Sequence, residues 1–188
     1  KKGKDPLQLK NWRPISLLNV DYKLTAKCIA NRLKQHLPNL IHSDQTGFLK
    51  GRYIGENINR ILTIMDKAEE EDIAAVIAGI DFEKAFDSLE WKFIYQTLSA
   101  FNFGPSVIKW TKTLYCNTQS CVLNNGWTCQ SFNLQRGVRQ GCPLSPYLFL
   151  LAAEVPSSYI RQSPNITGIT IDGVEQKSVN LQTTQTCC

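Results

Sequence analysis

From Tyr22, apolar residues return at three- and four-residue steps through Ala26, Ile29, Leu33 and Leu37. That spacing predicts an amphipathic helix, ending before Pro38. Lys23, Lys27, Arg32 and Lys34 populate its other faces, as a solvated helix surface requires. After a loop through Gly47, Gly51 and Gly55, Ile58, Ile61, Leu62 and Met65 mark a second helix running into the acidic stretch Glu69–Asp72. Ile73–Phe82 is then a nearly continuous apolar run of strand length, the pattern of a strand buried on both faces.

Asp87-Ser88-Leu89-Glu90 has the form of a capping box that starts a helix carrying Trp91, Ile94, Leu98 and Phe101 inward. Gly104-Pro105 ends it and opens another, with Val107, Ile108 and Leu114 apolar. Two β-prone runs flank Asn124-Asn125-Gly126, a hairpin signal. A last helix begins at Ser145-Pro146, with serine as N-cap and proline at the first helical position. The order of helices, strand, helices, hairpin and helix predicts an α+β fold, not a repeated βαβ unit.

With 188 residues, 43% of them hydrophobic, the chain can bury one substantial core, or one domain plus part of another. No stretch approaches the roughly 18 consecutive apolar residues of a membrane span, and Lys1-Lys2-Gly3-Lys4 does not open a signal peptide. The expected location is intracellular, nuclear or cytoplasmic, not secreted. The single methionine is Met65, so the chain reads as a fragment. Seven cysteines without a secretory signal predict reduced thiols. A zinc site built on Cys116, Cys121 and Cys129 is disfavoured because His36 and His42 lie far upstream, leaving buried, inert thiols as the expectation. The net charge of +5 suits an anionic partner without identifying one.

Four segments carry candidate chemistry. Gly79–Asp87 places Asp81 at the end of the apolar run, where a rigid carboxylate can hold a hard cation, although an aspartate there also caps turns. Asp87 reads more simply as an N-cap. Gln135–Pro146 combines glycines that allow close backbone approach with Arg136, Arg139 and Gln140, able to bind phosphates or base edges. Asn11–Leu17 and Gln45–Arg52 each join aromatic and basic residues suited to stacking and phosphate contact.

In this order and spacing the four segments resemble the N-terminal fingers motifs, motif A and motif B of the reverse transcriptases of non-LTR (LINE-type) retrotransposons. The likeness runs from about Asn11 to Lys177. It implies a right-handed polymerase, here fingers (1–72, fingers-like) and a partial palm (73–188, with interleaved fingers elements, incomplete at its C-terminus), without a thumb. Asp81 matches the motif A aspartate that holds two Mg²⁺ ions, with the Phe82 main-chain carbonyl as a further ligand. Phe86 matches the steric gate beneath the sugar. Arg52 would bind the triphosphate of the incoming deoxynucleotide, and Gln140 and Gly141 would line the nascent base pair. Arg13, Arg136 and Arg139 would contact RNA template or DNA primer, and template contact becomes the alternative account of the charges at positions 23–34. The resemblance implies no membrane partner.

One departure stands out. The family continues past motif B into an aromatic-Ala-Asp-Asp hairpin, whereas Lys177–Cys188 contains no acidic pair. Codons can be chosen for this tail such that restoring a single A after the Lys177 codon yields Lys-Ile-Ser-Gln-Phe-Ala-Asp-Asp-Thr-Asp-Val-Leu. The expectation is a one-nucleotide deletion and a chain that does not polymerise, with a non-catalytic nucleic-acid-binding relic as the alternative. Pro156 reads as a second scar, with a functional kink as the alternative, since a proline inside a helix costs about 3 kcal/mol or more.

Overall fold

The computed structural model describes residues 5, 7–8, 11–12, 14–80, 82–171 and 174–177. Arg13, Asp81 and the tail from Ser178 onward therefore lie outside the described residues. The helix predicted from Tyr22 is α1 (Val20–Leu40), and it buries Ala26, Ile29, Ala30, Leu33 and Leu37. Pro38 does not end it. A proline in the last turn forfeits one hydrogen bond, and the ladder resumes with the Ile41 N–H donating to the Leu37 carbonyl at 2.9 Å.

The second predicted helix is α2 (Ile54–Glu70), which takes in Gly55. Its apolar stripe is only half covered: Ile58, Leu62 and Met65 are exposed, and Asn57 is its one fully buried residue. The expected strand at 73–82 is not observed. Residues 73–80 form neither helix nor strand and are exposed, with Val76 93% accessible. Among the described residues no strand pairs with this segment, so its backbone has no ladder and its side chains no facing layer.

A single helical turn, α3 (Ala85–Ser88), precedes α4 (Trp91–Ala100) and α5 (Pro105–Tyr115), the latter opened by its proline as predicted. The capping box does not form: Glu90, not Asp87, is the N-cap of α4, and no side chain caps it. The ribbon that follows pairs β1 (Gln119–Ser120) with β4 (Phe132–Asn133) and β2 (Leu123–Asn124) with β3 (Trp127–Thr128), all antiparallel. Asn125 and Gly126 turn it with φ of 49° and 82°, as a type I′ hairpin needs.

Helix α6 (Ser145–Gln162) is the central element, burying the seven consecutive residues Leu148, Phe149, Leu150, Leu151, Ala152, Ala153 and Glu154, with Ser157 beyond. Its N-cap is Leu144 rather than Ser145, whose hydroxyl is instead buried in the first turn. The helix continues through Pro156 to Gln162 without breaking. A final hairpin joins β5 (Ile169–Ile171) to β6 (Val174–Gln176).

The core is helix on helix: α1, α4, α5 and α6 interdigitate through Leu33, Leu37, Ile94, Leu98, Tyr115, Leu148 and Leu151. Short ribbons sit outside it, so the chain is α+β in the coarse sense expected. No helix among the described residues is long and apolar enough to cross a membrane. The thiols are a correction, because Cys28, Cys116, Cys121 and Cys129 are exposed and Cys142 alone of the described cysteines is buried. Cys121 and Cys129 lie in the ribbon, whose residues 121–133 are all exposed, and Cys116 caps α5.

Candidate functional site

Phe86 anchors the site. The left-handed backbone of Lys84 (φ 49°) turns the chain into α3, and the Lys84 carbonyl accepts the N–H groups of Asp87 and Ser88 at 2.8 and 3.0 Å. This drives the Phe86 ring into the core, 4% exposed and 5.2 Å from the Phe149 ring of α6. Phe82, upstream, meets Phe149 edge-on at 6.1 Å.

The glycine-rich loop then docks on α3 through main-chain bonds. The Val138 N–H donates to the Phe86 carbonyl at 2.7 Å, and the Gly137 N–H donates to the Leu89 carbonyl at 2.8 Å. The Trp91 indole N–H closes the junction by donating to the Gly137 carbonyl at 2.8 Å. Gly137 has φ +91°, and a Cβ there would lie 3.0 Å from the Asp87 carbonyl oxygen. Both the approach and the backbone conformation therefore demand glycine.

Gln140 ties three segments together. Its carbonyl accepts the Ser16 N–H at 3.0 Å, and its carboxamide Nε2 lies 3.3 and 3.5 Å from the two Asp87 carboxylate oxygens. Burial pushes the Asp87 carboxyl up from its ordinary pKa, against the opposing pull of the Gln140 hydrogen bond and the Lys84 ammonium. Gly141 sits against the same strap, with a Cβ there 3.3 Å from the Ser16 carbonyl oxygen. Three of the four sequence segments thus meet: 14–17, 82–91 and 135–141.

The other predicted site residues are placed differently. The Arg52 guanidinium donates to the Ile41 and Gln45 carbonyls at 2.9 and 2.7 Å, with the His42 and Pro38 carbonyls also in reach. It clamps the C-terminal end of α1, whose last carbonyls have no intrahelical partner. Beside it, the buried Asp44 pairs with Arg60 and with His42 at 3.1 Å, and Asn57 donates to the Asp44 carbonyl at 2.7 Å. Desolvation, followed by the charge of Arg161, pushes the His42 pKa down. Arg139 lies 4.5 Å over the Tyr22 ring, while Arg136 is exposed. Asp81 and Arg13 lie outside the described residues.

Sequence reasoning missed the Trp91–Gly137 bond, the Asp87–Gln140 pair and the carbonyl clamp of Arg52. The short polar spacing of Asp87 and Glu90 pointed to a cap, and nothing local distinguishes a capping aspartate from one turned toward a distant glutamine.

The described donors do not fit a divalent-cation site. No group of three or more His, Cys, Asp or Glu side chains converges among the described residues. Asp87 is engaged by Gln140, and Glu83 is exposed.

A profile of the family described as reverse transcriptase (RNA-dependent DNA polymerase) matches residues 1–174. The chain belongs to the reverse transcriptase family. Its relatives in this family include the transposon TX1 uncharacterized 149 kDa protein of Xenopus laevis, 37% identical over 180 residues, covering 95% of this chain and 14% of the relative. The Pol polyprotein of the type-2 retrotransposable element R2DM of Drosophila melanogaster is 31% identical over 146 residues, or 77% of this chain and 13% of the relative. The RNA-directed DNA polymerase from mobile element jockey of Drosophila funebris is 26% identical over 162 residues, 84% of this chain and 17% of the relative. These matches bear out the reading of a reverse transcriptase domain of the LINE type. The chain spans only about a seventh of the length of the first two.

Proposed function

We propose that this reverse transcriptase domain descends from an RNA-directed DNA polymerase that extends a DNA primer on an RNA template with deoxynucleoside triphosphates, and that these 188 residues alone do not polymerise. The observation that carries the polymerase reading is the docking of the glycine loop on α3, which sets Phe86, Asp87, Gln140 and Gly141 at one junction. In this reading Phe86 is the sugar gate, held rigid by Phe149, and Gln140 and Gly141 border the nascent pair. Residues 1–72 correspond to fingers and 73–188 to palm with interleaved fingers elements. Arg13, Arg136 and Arg139 face template or primer, the last after leaving the Tyr22 ring. Arg52 would reach a triphosphate only by releasing the end of α1.

Asp81, with the Phe82 carbonyl, is the one family metal position this chain retains, and the intact family's Mg²⁺ pair would need the acidic pair missing from 177–188. A lone carboxylate binds Mg²⁺ weakly, because the ion keeps its water shell. Primer extension on an RNA template with Mg²⁺ tests the proposal. We expect no product from the 188-residue chain. Product that disappears with Asp81→Ala would overturn the inactivity and leave the polymerase reading standing. Failure to bind an RNA–DNA hybrid at all would reject the polymerase reading itself.

A further inference from the structure

Helix α1 carries a run of cations with few opposing charges. Residues 22–43 contain Lys23, Lys27, Arg32 and Lys34 and no carboxylate, leaving 17 basic and 16 acidic side chains for everything else. With Asp21 in its first turn, α1 carries a net charge of +3.

The four cations divide between two flanks of the helix. At about 100° per residue, Lys23, Lys27 and Lys34 fall within about 40° of one another around the axis. Arg32 falls on the opposite flank, where its guanidinium lies 4.9 Å over the Trp110 ring of α5. One flank is thus covered by α5. The lysine flank is open: all three lysines are exposed, and no ion pair among the described residues reaches any of them. The buried side of α1, from Ala26 to Leu37, fixes the rotation of the helix, so the row cannot turn away.

We propose that this lysine row is a phosphate-backbone contact for a nucleic-acid strand, separate from the junction of α3 with the glycine loop. Lys23 to Lys34 spans about 16 Å at 1.5 Å per residue. With strand phosphates about 3.4 Å apart along a duplex axis, that length matches about five of them. Uncompensated lysines on a rigid helix suit this ligand, since each phosphate neutralised releases condensed counterions. A bilayer surface is the poorer match, because the apolar face such a helix would insert is already in the core. The choice of nucleic acid as ligand rests on the polymerase reading, but the location of the row does not.

The test is fluorescence anisotropy of a labelled RNA–DNA hybrid with the full chain, followed across a salt titration. The triple variant Lys23→Gln, Lys27→Gln, Lys34→Gln should lower the slope of log affinity against log salt by about 2.7, and weaken binding roughly 10- to 100-fold at low salt. A control triple of exposed lysines elsewhere, Lys92→Gln, Lys109→Gln, Lys112→Gln, should lower it by less than about 1. Circular dichroism of both variants should match the parent chain. An unchanged slope in the α1 triple, or equal losses in both triples, would overturn the lysine row and leave the polymerase reading intact. Tighter capture by anionic phospholipid vesicles than by the hybrid would overturn it in favour of a membrane surface. If the parent chain binds no hybrid, the polymerase reading falls and takes the row with it.

Discussion

Two apolar stretches of this domain end in opposite environments. Residues 73–80 are nearly all apolar and stand in solvent, Val76 and Ile77 being 93% and 63% accessible. Residues 144–153 are equally apolar, and Leu144, Leu148, Leu150 and Leu151 are at most 1% accessible. The difference lies in where the backbone hydrogen bonds go. A helix satisfies its own N–H and C=O groups and needs only a face to pack on, which α1 and α4 supply. A strand needs a neighbour for its backbone as well as a layer for its side chains, and the described residues give 73–80 neither. Apolar composition therefore sets what can be buried, and the available partners decide what is.

The sharpest way to break this comparison is to truncate both stretches. Leu148→Ala removes a side chain from the centre of the core and should destabilise the domain by about 3 kcal/mol or more, read from urea unfolding. Ile77→Ala should change stability by less than about 0.5 kcal/mol. A large loss at Ile77 would mean that the run is covered in solution, and the contrast drawn here would fail.

The glycines sharpen it next. Gly137→Ala forces a side chain into a left-handed backbone and to within 3.0 Å of the Asp87 carbonyl oxygen, so a loss of about 2 kcal/mol is expected. A Cβ on Gly79 would meet nothing within 4 Å, so Gly79→Ala should be close to neutral. Equal effects at the two positions would show that the loop does not dock as described.

Much of the fold is legible in the sequence. The three- and four-residue repeats marked α1, α2 and α4, because a helix that packs on one side writes its period into the chain. Asn125-Gly126 and Pro105 were legible because each is tied to one backbone conformation. The failures share a physical cause. Local rules alone speak for Pro38, Asp87 and Ser145, and each is overridden by a contact or position settled elsewhere in the fold. Arg52 clamps the carbonyls that Pro38 and its neighbours leave open, Gln140 from 53 residues away engages Asp87, and Leu144 takes the cap position from a serine buried against the core. At the site, the glycine loop and Phe86 could be named from motif spacing. The partners that hold them, Trp91 and Phe149, could not, because an inward aromatic residue looks the same whether it packs or also donates a hydrogen bond.

The smallest expected effect concerns the charge at the junction, which the solvent-exposed run has no counterpart for. Burial raises the Asp87 carboxyl pKa in the fold. Below the ordinary carboxylate range both folded and unfolded chains hold the proton, and Asp87 carries no electrostatic penalty. As pH rises, the unfolded chain releases that proton first, while the fold must ionise a partly desolvated group. The stability that Asp87 contributes in acid is therefore lost as pH climbs through its raised folded value. Asp87→Asn keeps an acceptor oxygen for Gln140 and cannot ionise, so the parent chain should lose stability relative to the variant between acid and neutral pH, measured as the difference in urea midpoints. If the parent instead gains on the variant over that interval, the Gln140 hydrogen bond and the Lys84 charge outweigh burial. The junction would then be held by its charge, and the contrast with residues 73–80 would be one of electrostatics as much as of packing.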